Sequence, residues 1–278
     1  MSRLSAYLLA ASAMLLAAPA NAQDDSRAKR LIDSKYQISV GQFFPERSFS
    51  LRVDGGIPDL NEDIRIDEEL RLRTRDKILS AEASMRIGER WRLAGQFFEA
   101  TNDGELVLQN DIEWEDVVYQ AGTNVSGGTR FSVLRLFVSR DFNTADHHSF
   151  GIGLGIHELK IEAFLAGEAI VAGGGSEFRS ESAKTDGPMP NIGIWYSRVL
   201  TDSLALNTRL DWLEASISPY NGGILNAAVA LHYGVTDNIG LGFAYNYFEF
   251  DAGIKDSGWR GDAEVRYHGP YISLKAYW

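Results

Sequence analysis

The chain has no cysteine among its 278 residues. This absence excludes disulfide bonds, thiolate metal sites, cysteine nucleophiles and a lipid anchor on an N-terminal cysteine. Past its N-terminus the chain also lacks any apolar run of the roughly 20 residues that a membrane-spanning helix needs. Basic residues are too few to balance the acidic ones: 27 Lys and Arg stand against 38 Asp and Glu, a net charge of −11. Nucleic-acid binding requires a basic surface, so the composition argues against that class.

The N-terminus has the pattern of an export signal. Arg3 is followed by an uncharged apolar stretch over residues 6–18 and by Ala20-Asn21-Ala22, an A-x-A cleavage site. The apolar stretch is too short to span a membrane, so we predict a signal peptide over residues 1–22 and a mature start at Gln23. Residues 23–35 are polar and charged without periodicity, and we expect a short, poorly ordered periplasmic leader.

From Tyr36 onward, the dominant pattern is alternation of apolar and polar residues. The C-terminal strand shows it best: Ile272, Leu274 and Trp278 share one face, while Tyr271, Ser273, Lys275 and Tyr277 share the other. A strand with one lipid face and one polar face is typical of a transmembrane β-barrel, because only a closed sheet satisfies every strand hydrogen bond in a bilayer. We therefore predict an all-β, antiparallel, up-and-down barrel over residues 36–278 as a single domain.

The alternating segments number about ten, with eight and twelve strands as alternatives. An even number returns both termini to the periplasmic side and places the long connections outside. The predicted short turns lie at Gly88, Asn143, Thr201 and Thr236. Residues 105–124 either form an extracellular hairpin or add two strands. In the last strand the apolar alternation changes phase across Gly269-Pro270, and we interpret this change as a β-bulge.

The export signal, the alternating strands, the aromatic segment 242–248 and the C-terminal segment 271–278 resemble one family. They are similar to small proteobacterial outer-membrane β-barrel proteins of the OmpA-barrel, OmpX and OmpW kind. The resemblance covers nearly all of the mature chain in pattern, but only the last strand in anything like a motif. That family includes adhesins, small channels and lipid enzymes, so the resemblance does not fix a function.

The resemblance implies a location in the cell outer membrane, with outer-membrane lipid and lipopolysaccharide as neighbours. It also implies insertion by the barrel assembly machinery, which in that family reads a C-terminal aromatic residue. In this chain the assembly signal corresponds to Ile272, Leu274 and Trp278.

The face opposite the lipid face collects charges of both signs. A barrel of about ten strands barely exceeds the size that side chains can fill, and buried charges must be paired. We therefore predict a lumen largely filled by ion-paired side chains, with a narrow passive channel at most. The predicted lumen charges are Arg52, Glu82, Arg86, Arg135, Lys160, Glu162, Arg209, Asp211, Glu264, Arg266 and Lys275.

Candidate catalytic and metal-binding residues are sparse. His147-His148-Ser149 is the only local hint of a hydrolase, and its position at a turn favours a structural role. His232 and His268 are expected to face the lumen as hydrogen-bonded residues. The acidic loop 54–69 is rich enough in carboxylates to attract a divalent cation, but it lacks the spacing and the glycine of an EF-hand. We predict no catalytic residues, no metal site and no cofactor.

The sequence thus predicts a non-enzymatic, porin-like outer-membrane protein with a structural or narrow passive-channel role, and we expect a monomer. Two other classes stay open: an outer-membrane lipid-modifying or proteolytic enzyme, and a surface-binding protein that acts through long extracellular loops. A channel requires a continuous water-wide lumen. An enzyme requires a Ser or Asp/His cluster at the outer rim, and a binder requires ordered loops beyond the membrane.

Overall fold

A computed structural model describes residues 26–54, 78–108, 111–114, 117–145, 147–171, 175–217, 220–255 and 260–278. The predicted signal peptide and nearly all of the acidic loop lie outside these ranges. The described elements are helix α1 (Arg27–Asp33) and strands β1 (Tyr36–Phe43), β2 (Glu46–Asp54), β3 (Ile78–Ile87), β4 (Trp91–Val107), β5 (Ile112–Trp114), β6 (Val117–Tyr119), β7 (Asn124–Ala145), β8 (His148–Val171), β9 (Ser176–Val199), β10 (Leu204–Ile217), β11 (Tyr220–Gly234), β12 (Ile239–Lys255) and β13 (Arg260–Tyr277). No helix in the described part of the chain has the length and apolar character to cross a bilayer.

Ten strands form a closed antiparallel barrel, which confirms the predicted fold. β1 and β2 together make the first barrel strand, since both pair with β13 in one register that continues across Phe44 and Pro45. Proline has no N–H to donate to a ladder, which explains the interruption. The barrel closes between Tyr36 and Trp278, whose backbone N–H groups donate to each other's carbonyls at 3.0 and 3.1 Å.

β5 and β6 are additional to the barrel. They form a small hairpin whose β6 pairs with the far end of β8. β4 and β7 flank this hairpin and pair as far as Val107 and Asn124, so the ambiguous segment 105–124 adds no barrel strand. The sequence also predicts one of the long outer connections over residues 166–190. Most of this segment is instead an extension of β8 and β9, which pair out to Ile170 and Ser176.

The last barrel strand has no bulge, so that prediction is wrong. β12 and β13 pair in one unbroken register from Ile239 and Ala276 to Lys255 and Arg260. Gly269 instead allows close strand contact, because a Cβ at this position would lie 3.0 Å from the Cα of Pro45.

The outer face carries an apolar belt around the short-turn half of the barrel, bordered by aromatic side chains. At the short-turn rim the ring of Trp278 lies 5.7 Å from that of Tyr36. At the other rim, the rings of Tyr245 and Tyr247 stack on His268 at 6.4 and 6.3 Å. Aromatic girdles at two levels are typical of membrane barrels. Between them β12 runs over 239–247, and about 9–11 residues suffice for a tilted strand to cross a bilayer.

Beyond the belt, toward the long-loop end, the polarity of the wall inverts. Glu249 and Asp251 point outward there, whereas Phe248 and Phe250 point inward and are buried. The inward side chains form an apolar core inside the barrel, in which the rings of Phe131 and Tyr267 stack at 5.5 Å. This core also contains Phe43, Ile78, Phe98, Val133, Leu159, Ile161, Ile224 and Val265.

Helix α1 lies in the short-turn mouth of the barrel, so the expectation of a poorly ordered leader is wrong for these residues. Ser26 caps the helix, and its Oγ accepts a hydrogen bond from the N–H of Lys29 at 3.2 Å. Ala28 and Leu31 are 0% and 2% exposed. The Ala28 N–H donates to the carbonyl of Asp202 in the β9–β10 turn at 3.0 Å. The leader therefore covers the mouth instead of trailing from it.

Candidate functional site: the polar layer of the lumen

A layer of polar side chains lies in the lumen between α1 and the apolar core. Much of it comes from one cross-strand row of the barrel wall, since directly paired residues of antiparallel strands face the same side. The row consists of Lys275, Ser39, Glu82, Gln96 and Arg135, each paired with the next. The strand register alone therefore brings residues from five strands to one level of the lumen.

The centre of the layer is a buried ion pair between Arg135 and Asp211. The guanidinium donates to both carboxylate oxygens, at 2.6 and 2.9 Å, and the two residues are 2% and 0% exposed. The Arg135 Cζ also lies 4.4 Å from the ring centroid of Phe137. Gly193 makes room for this pair, because a Cβ there would clash with Asp211 Oδ1 and approach the Phe137 ring to 2.7 Å.

Arg209 extends the network from the ion pair to the adjacent wall. Its Nη2 donates to Gln96 Oε1 at 3.1 Å and to Asn226 Oδ1 at 3.4 Å. Gln96 Nε2 in turn donates to Glu82 Oε1 at 2.9 Å. The amide of Gln96 thus links a cation on one side to a carboxylate on the other.

His157 is fully buried next to this network. Its Nδ1 lies 3.1 Å from Asn191 Oδ1, and its Nε2 lies 3.3 Å from Asn226 Nδ2. An amide oxygen accepts and an amide nitrogen donates, so these contacts fit a neutral imidazole with its proton on Nδ1. The arrangement satisfies the ring on both sides and holds it in place.

A second charged cluster joins the wall to α1. Asp141 lies 3.4 Å from Arg92 Nε and 3.8 Å from Arg86 Nη2. Arg86 also pairs with Asp33 at the end of α1, at 3.3 Å, and Arg92 donates to the carbonyl of Ile32 at 3.3 Å. The helix is therefore bound to the lumen wall by charge as well as by apolar contact.

The two clusters border a cavity of about 130 Å³, which we call the chamber. Leu31 and Ile32 of α1 line it on the short-turn side. The charged and imidazole side chains that line it are Glu82, Arg92, Arg135, Arg209, His232 and Lys275. Basic groups therefore dominate the lining, although the chain as a whole is acidic.

The predicted lumen charges divide into two groups. The structure places Glu82, Arg86, Arg135, Arg209, Asp211 and Lys275 on the inward face. Lys160 and Glu162 lie instead on the outer face, where Glu162 pairs with Arg130 at 3.1 Å, because the neighbouring Leu159 and Ile161 are the buried residues. The side chain of Arg52 lies outside the described part of the structure.

Glu264 and Arg266 are also on the outer face, contrary to prediction, because the expected bulge is absent. Arg266 Nη2 donates to Glu249 at 2.9 Å and to Glu264 at 2.8 Å. His268 is likewise outside the lumen, with its Nδ1 3.0 Å from Tyr245 Oη, whereas His232 is inside, as predicted.

The hydrolase hint at His147-His148-Ser149 receives no geometric support. Ser149 is buried, and its Oγ has no hydrogen-bond partner among the residues that the structure describes. The His148 ring lies beside Tyr196 at 6.2 Å. The described residues also contain no cluster of three or more His, Asp or Glu side chains that fits a metal ion.

Sequence reasoning missed several residues of the layer. Arg92 could have been predicted from the sequence, because alternation along β4 places it on the same face as Gln96 and Phe98. Asp141 could not, because the alternation predicts a strand from Phe131 to Arg140, which ends one residue before it. His157 was obscured because the apolar phase of β8 changes at that residue.

Comparison with known proteins identifies the fold of this barrel but no closer relationship. Neither a protein-family model nor a curated protein matches the chain. The outer-membrane protease OmpT of Escherichia coli aligns with a TM-score of 0.54 at 12% identity, over 88% of this chain and 97% of that one. The fold is that of outer-membrane β-barrel proteins.

Two other solved structures align with lower scores. Ail, the attachment invasion locus protein of Yersinia pestis, has a TM-score of 0.28 at 12% identity, over 86% of this chain and 98% of that one. A FadL homologue of Pseudomonas aeruginosa has a TM-score of 0.36 at 12% identity, over 91% and 92%.

Proposed function

We propose that this chain is a non-enzymatic outer-membrane β-barrel protein with a structural role, whose lumen is closed to bulk flow. The observation that carries this proposal is occlusion of the lumen at successive levels. α1 lies across the short-turn mouth, with Ala28 and Leu31 buried against the barrel. Above it, the bidentate contact between Arg135 and Asp211 spans the polar layer between β7 and β10.

The apolar core supplies the third level. Its rings contact one another from different walls of the barrel: Phe98 and Phe248 lie 6.0 Å apart, and Phe131 and Phe248 lie 5.7 Å apart. Barrels of this strand number have an interior that side chains can fill. Of the two roles expected from the sequence, the filled interior therefore supports the structural one over a narrow channel.

The outer face supports a location in the outer membrane, with the termini and short turns in the periplasm. The apolar belt and its aromatic rims match a bilayer, and charged outward residues occur beyond the rim at the long-loop end. Outer-membrane lipid and lipopolysaccharide then surround the belt. Around the belt, the closed barrel leaves no strand edge to pair with another chain, which favours a monomer, and Trp278 remains the proposed signal for the barrel assembly machinery.

The enzymatic alternative rests only on the fold. OmpT is a protease, but a shared fold carries no catalytic residues with it. The buried ion pairs hold their charged side chains in place, and both ring nitrogens of His157 have a hydrogen-bond partner. Side chains held in this way are consistent with a structural interior. We therefore propose no reaction for this barrel.

Liposome swelling tests the proposed role. Vesicles that contain the folded protein should swell in a small sugar no faster than protein-free vesicles, while an open porin in parallel vesicles swells rapidly. Swelling at a rate close to that of the porin would overturn the closed-lumen role.

Labelling in intact cells tests the orientation. The chain contains no cysteine, so single cysteines report cleanly. A membrane-impermeant maleimide should label Gly175→Cys at the long-loop end but not Asp237→Cys at the short-turn end. The opposite pattern would invert the proposed topology.

A further inference from the structure

The charges around the chamber do not balance. Asp141 pairs with Arg92, and Asp211 pairs with Arg135 and lies 3.9 Å from Arg209. Lys275 also lines the chamber, yet among the described residues it has neither a hydrogen bond nor an ion pair. The remaining carboxylate, Glu82, is held by Gln96. These four cations and three carboxylates leave one positive charge in excess.

A second unsatisfied group faces the same space. His232 is only 9% exposed, lines the chamber, and its Nδ1 has no hydrogen-bond partner in the described structure. Gly242, which lies opposite His232 on β12, keeps this side open, because a Cβ there would lie 2.9 Å from that Nδ1. A buried polar group without a partner costs free energy. An ammonium group only donates, and His232 donates from Nδ1 when its proton is on that nitrogen, so in this tautomer both groups favour an occupant with acceptor oxygens.

The chamber is large enough for such an occupant. Its volume of about 130 Å³ is well above the roughly 10–15 Å³ that a cavity needs in order to hold one water. Water alone would satisfy hydrogen bonds but would leave the charge of the half-buried Lys275 uncompensated, and a charge withdrawn from bulk water is costly unless it is paired. An anion with several oxygens would both accept hydrogen bonds from these groups and compensate the excess positive charge.

We propose that the chamber binds one small oxyanion, of the size of inorganic phosphate, through Lys275 and His232. The barrel wall separates the chamber from lipid, and α1 lies across its short-turn side, so the ligand is a free anion and not a lipid headgroup. The site is independent of the proposed structural role, because a closed barrel with or without this anion gives the same result in a permeability assay.

The test is the thermal unfolding midpoint of the folded mature protein in detergent, followed by heat-modifiable gel mobility. The midpoint is measured in increasing inorganic phosphate against chloride at equal ionic strength. A ligand that binds only the folded state raises the midpoint with concentration, but phosphate also stabilises proteins in general. Lys160→Met, which removes a lysine from the outer face, is therefore the matched control for Lys275→Met.

We expect wild type and Lys160→Met to show the same phosphate-specific rise. Lys275→Met should weaken phosphate binding by roughly tenfold or more, since it removes the uncompensated cation. Glu82→Gln removes the repelling carboxylate while its amide oxygen still accepts from Gln96, so it should tighten binding severalfold.

Two results would overturn the proposal. One is a wild-type midpoint that follows phosphate no more than Lys275→Met does, which would mean that water fills the chamber. The other is a Glu82→Gln variant that binds phosphate no more tightly than wild type; this result decides the question even if Lys275→Met fails to fold.

Discussion

At the residue scale, the buried ion pair of Arg135 and Asp211 is the central electrostatic interaction of the lumen. Removing two charges from water is costly, and the cost is recovered only where the geometry is good and the remaining donors are satisfied. The bidentate contact meets the first condition, and the stacking on Phe137 covers the guanidinium face. A buried pair of this kind adds little net stability over well-packed apolar side chains, although removal of one partner is costly.

Replacing one partner of this pair should therefore be much worse than replacing both. Asp211→Ala leaves Arg135 buried without its carboxylate, and we expect a loss of about 3–5 kcal/mol in the free energy of unfolding. The measurement is urea unfolding of the barrel in lipid vesicles. The double variant Arg135→Met/Asp211→Leu should recover most of the loss, and equal losses in the single and double variants would contradict the account.

On the outer face, Asp251 should give a pH-dependent stability. It lies beyond the aromatic rim, and burial, followed by the charges of Glu249, Glu214 and Glu264, raises the pKa of its carboxyl. An acid whose pKa is raised by folding destabilises the protein when ionised. The stability is therefore lower at neutral pH and is regained as the pH falls through the raised pKa.

The variant Asp251→Asn should remove this dependence. At pH 7 we expect a gain in unfolding free energy of at most about 0.5 kcal/mol, because the side chain is partly exposed and solvent screens the repulsion. Below the ordinary pKa of a carboxyl, variant and wild type should converge. A variant that is less stable than wild type at pH 7 would show that Asp251 makes a favourable contact instead.

At the element scale, alternation was sufficient to predict the barrel but not the faces of its strands throughout. In β13, Ile272 and Leu274 face outward while Val265 and Tyr267 face inward, although the strand is regular. The apolar face changes because the surroundings change: lipid lies outside in one half and water in the other. In the sequence the same change has the pattern of a bulge. For that reason Glu264 and Arg266 were predicted in the lumen, although they lie on the outer face.

Helix α1 could not be predicted from periodicity. It is 7 residues long, and isolated helices of that length are unstable in water, so tertiary contacts must hold it. Those contacts include ion pairs of Arg27 and Arg30 with Asp237 at 3.6 and 3.5 Å. None of these long-range partners leaves a local signal in the sequence.

Cysteine protection tests the docking of α1. In the folded barrel Ala28→Cys should resist maleimide, because Ala28 is 0% exposed, whereas the neighbouring, exposed Arg27→Cys should react. Adding Leu31→Asp puts a charge into the apolar contact, so Ala28→Cys should then react at least roughly tenfold faster. Rapid labelling of Ala28→Cys without Leu31→Asp would show that the helix does not stay in the mouth.

At the scale of the whole molecule, the outer surface of the barrel wall is built for two solvents, lipid around the short-turn half and water around the long-loop half. Around the short-turn half, an apolar outer belt encloses a polar, ion-paired interior with the chamber. Around the long-loop half, a charged outer surface encloses the aromatic core, as in a water-soluble protein. Among the described residues of the short-turn interior most charges are paired, with Lys275 as the exception, and the long-loop interior excludes water by apolar contact.

This division explains what could be predicted of the site. Charges in the membrane half, such as Glu82, Arg135 and Lys275, face inward because lipid excludes them from the outside. Lys160 and Glu162 lie in the long-loop half, where the outer face contacts water and charged side chains can point outward. The rule that charges face the lumen therefore predicted the wrong face for them. The position along a strand at which the surroundings change from lipid to water is set by the assembled barrel. The sequence of a single strand therefore does not show where that change occurs.

The most direct test of the central claim, a lumen closed at several levels, is conductance in planar lipid bilayers. We expect wild type to show no steady conductance, and a variant that lacks residues 26–34 to remain closed as well, because neither the Arg135–Asp211 pair nor the aromatic core includes a residue of α1. A large, stable open-pore conductance from the unmodified protein would contradict the account.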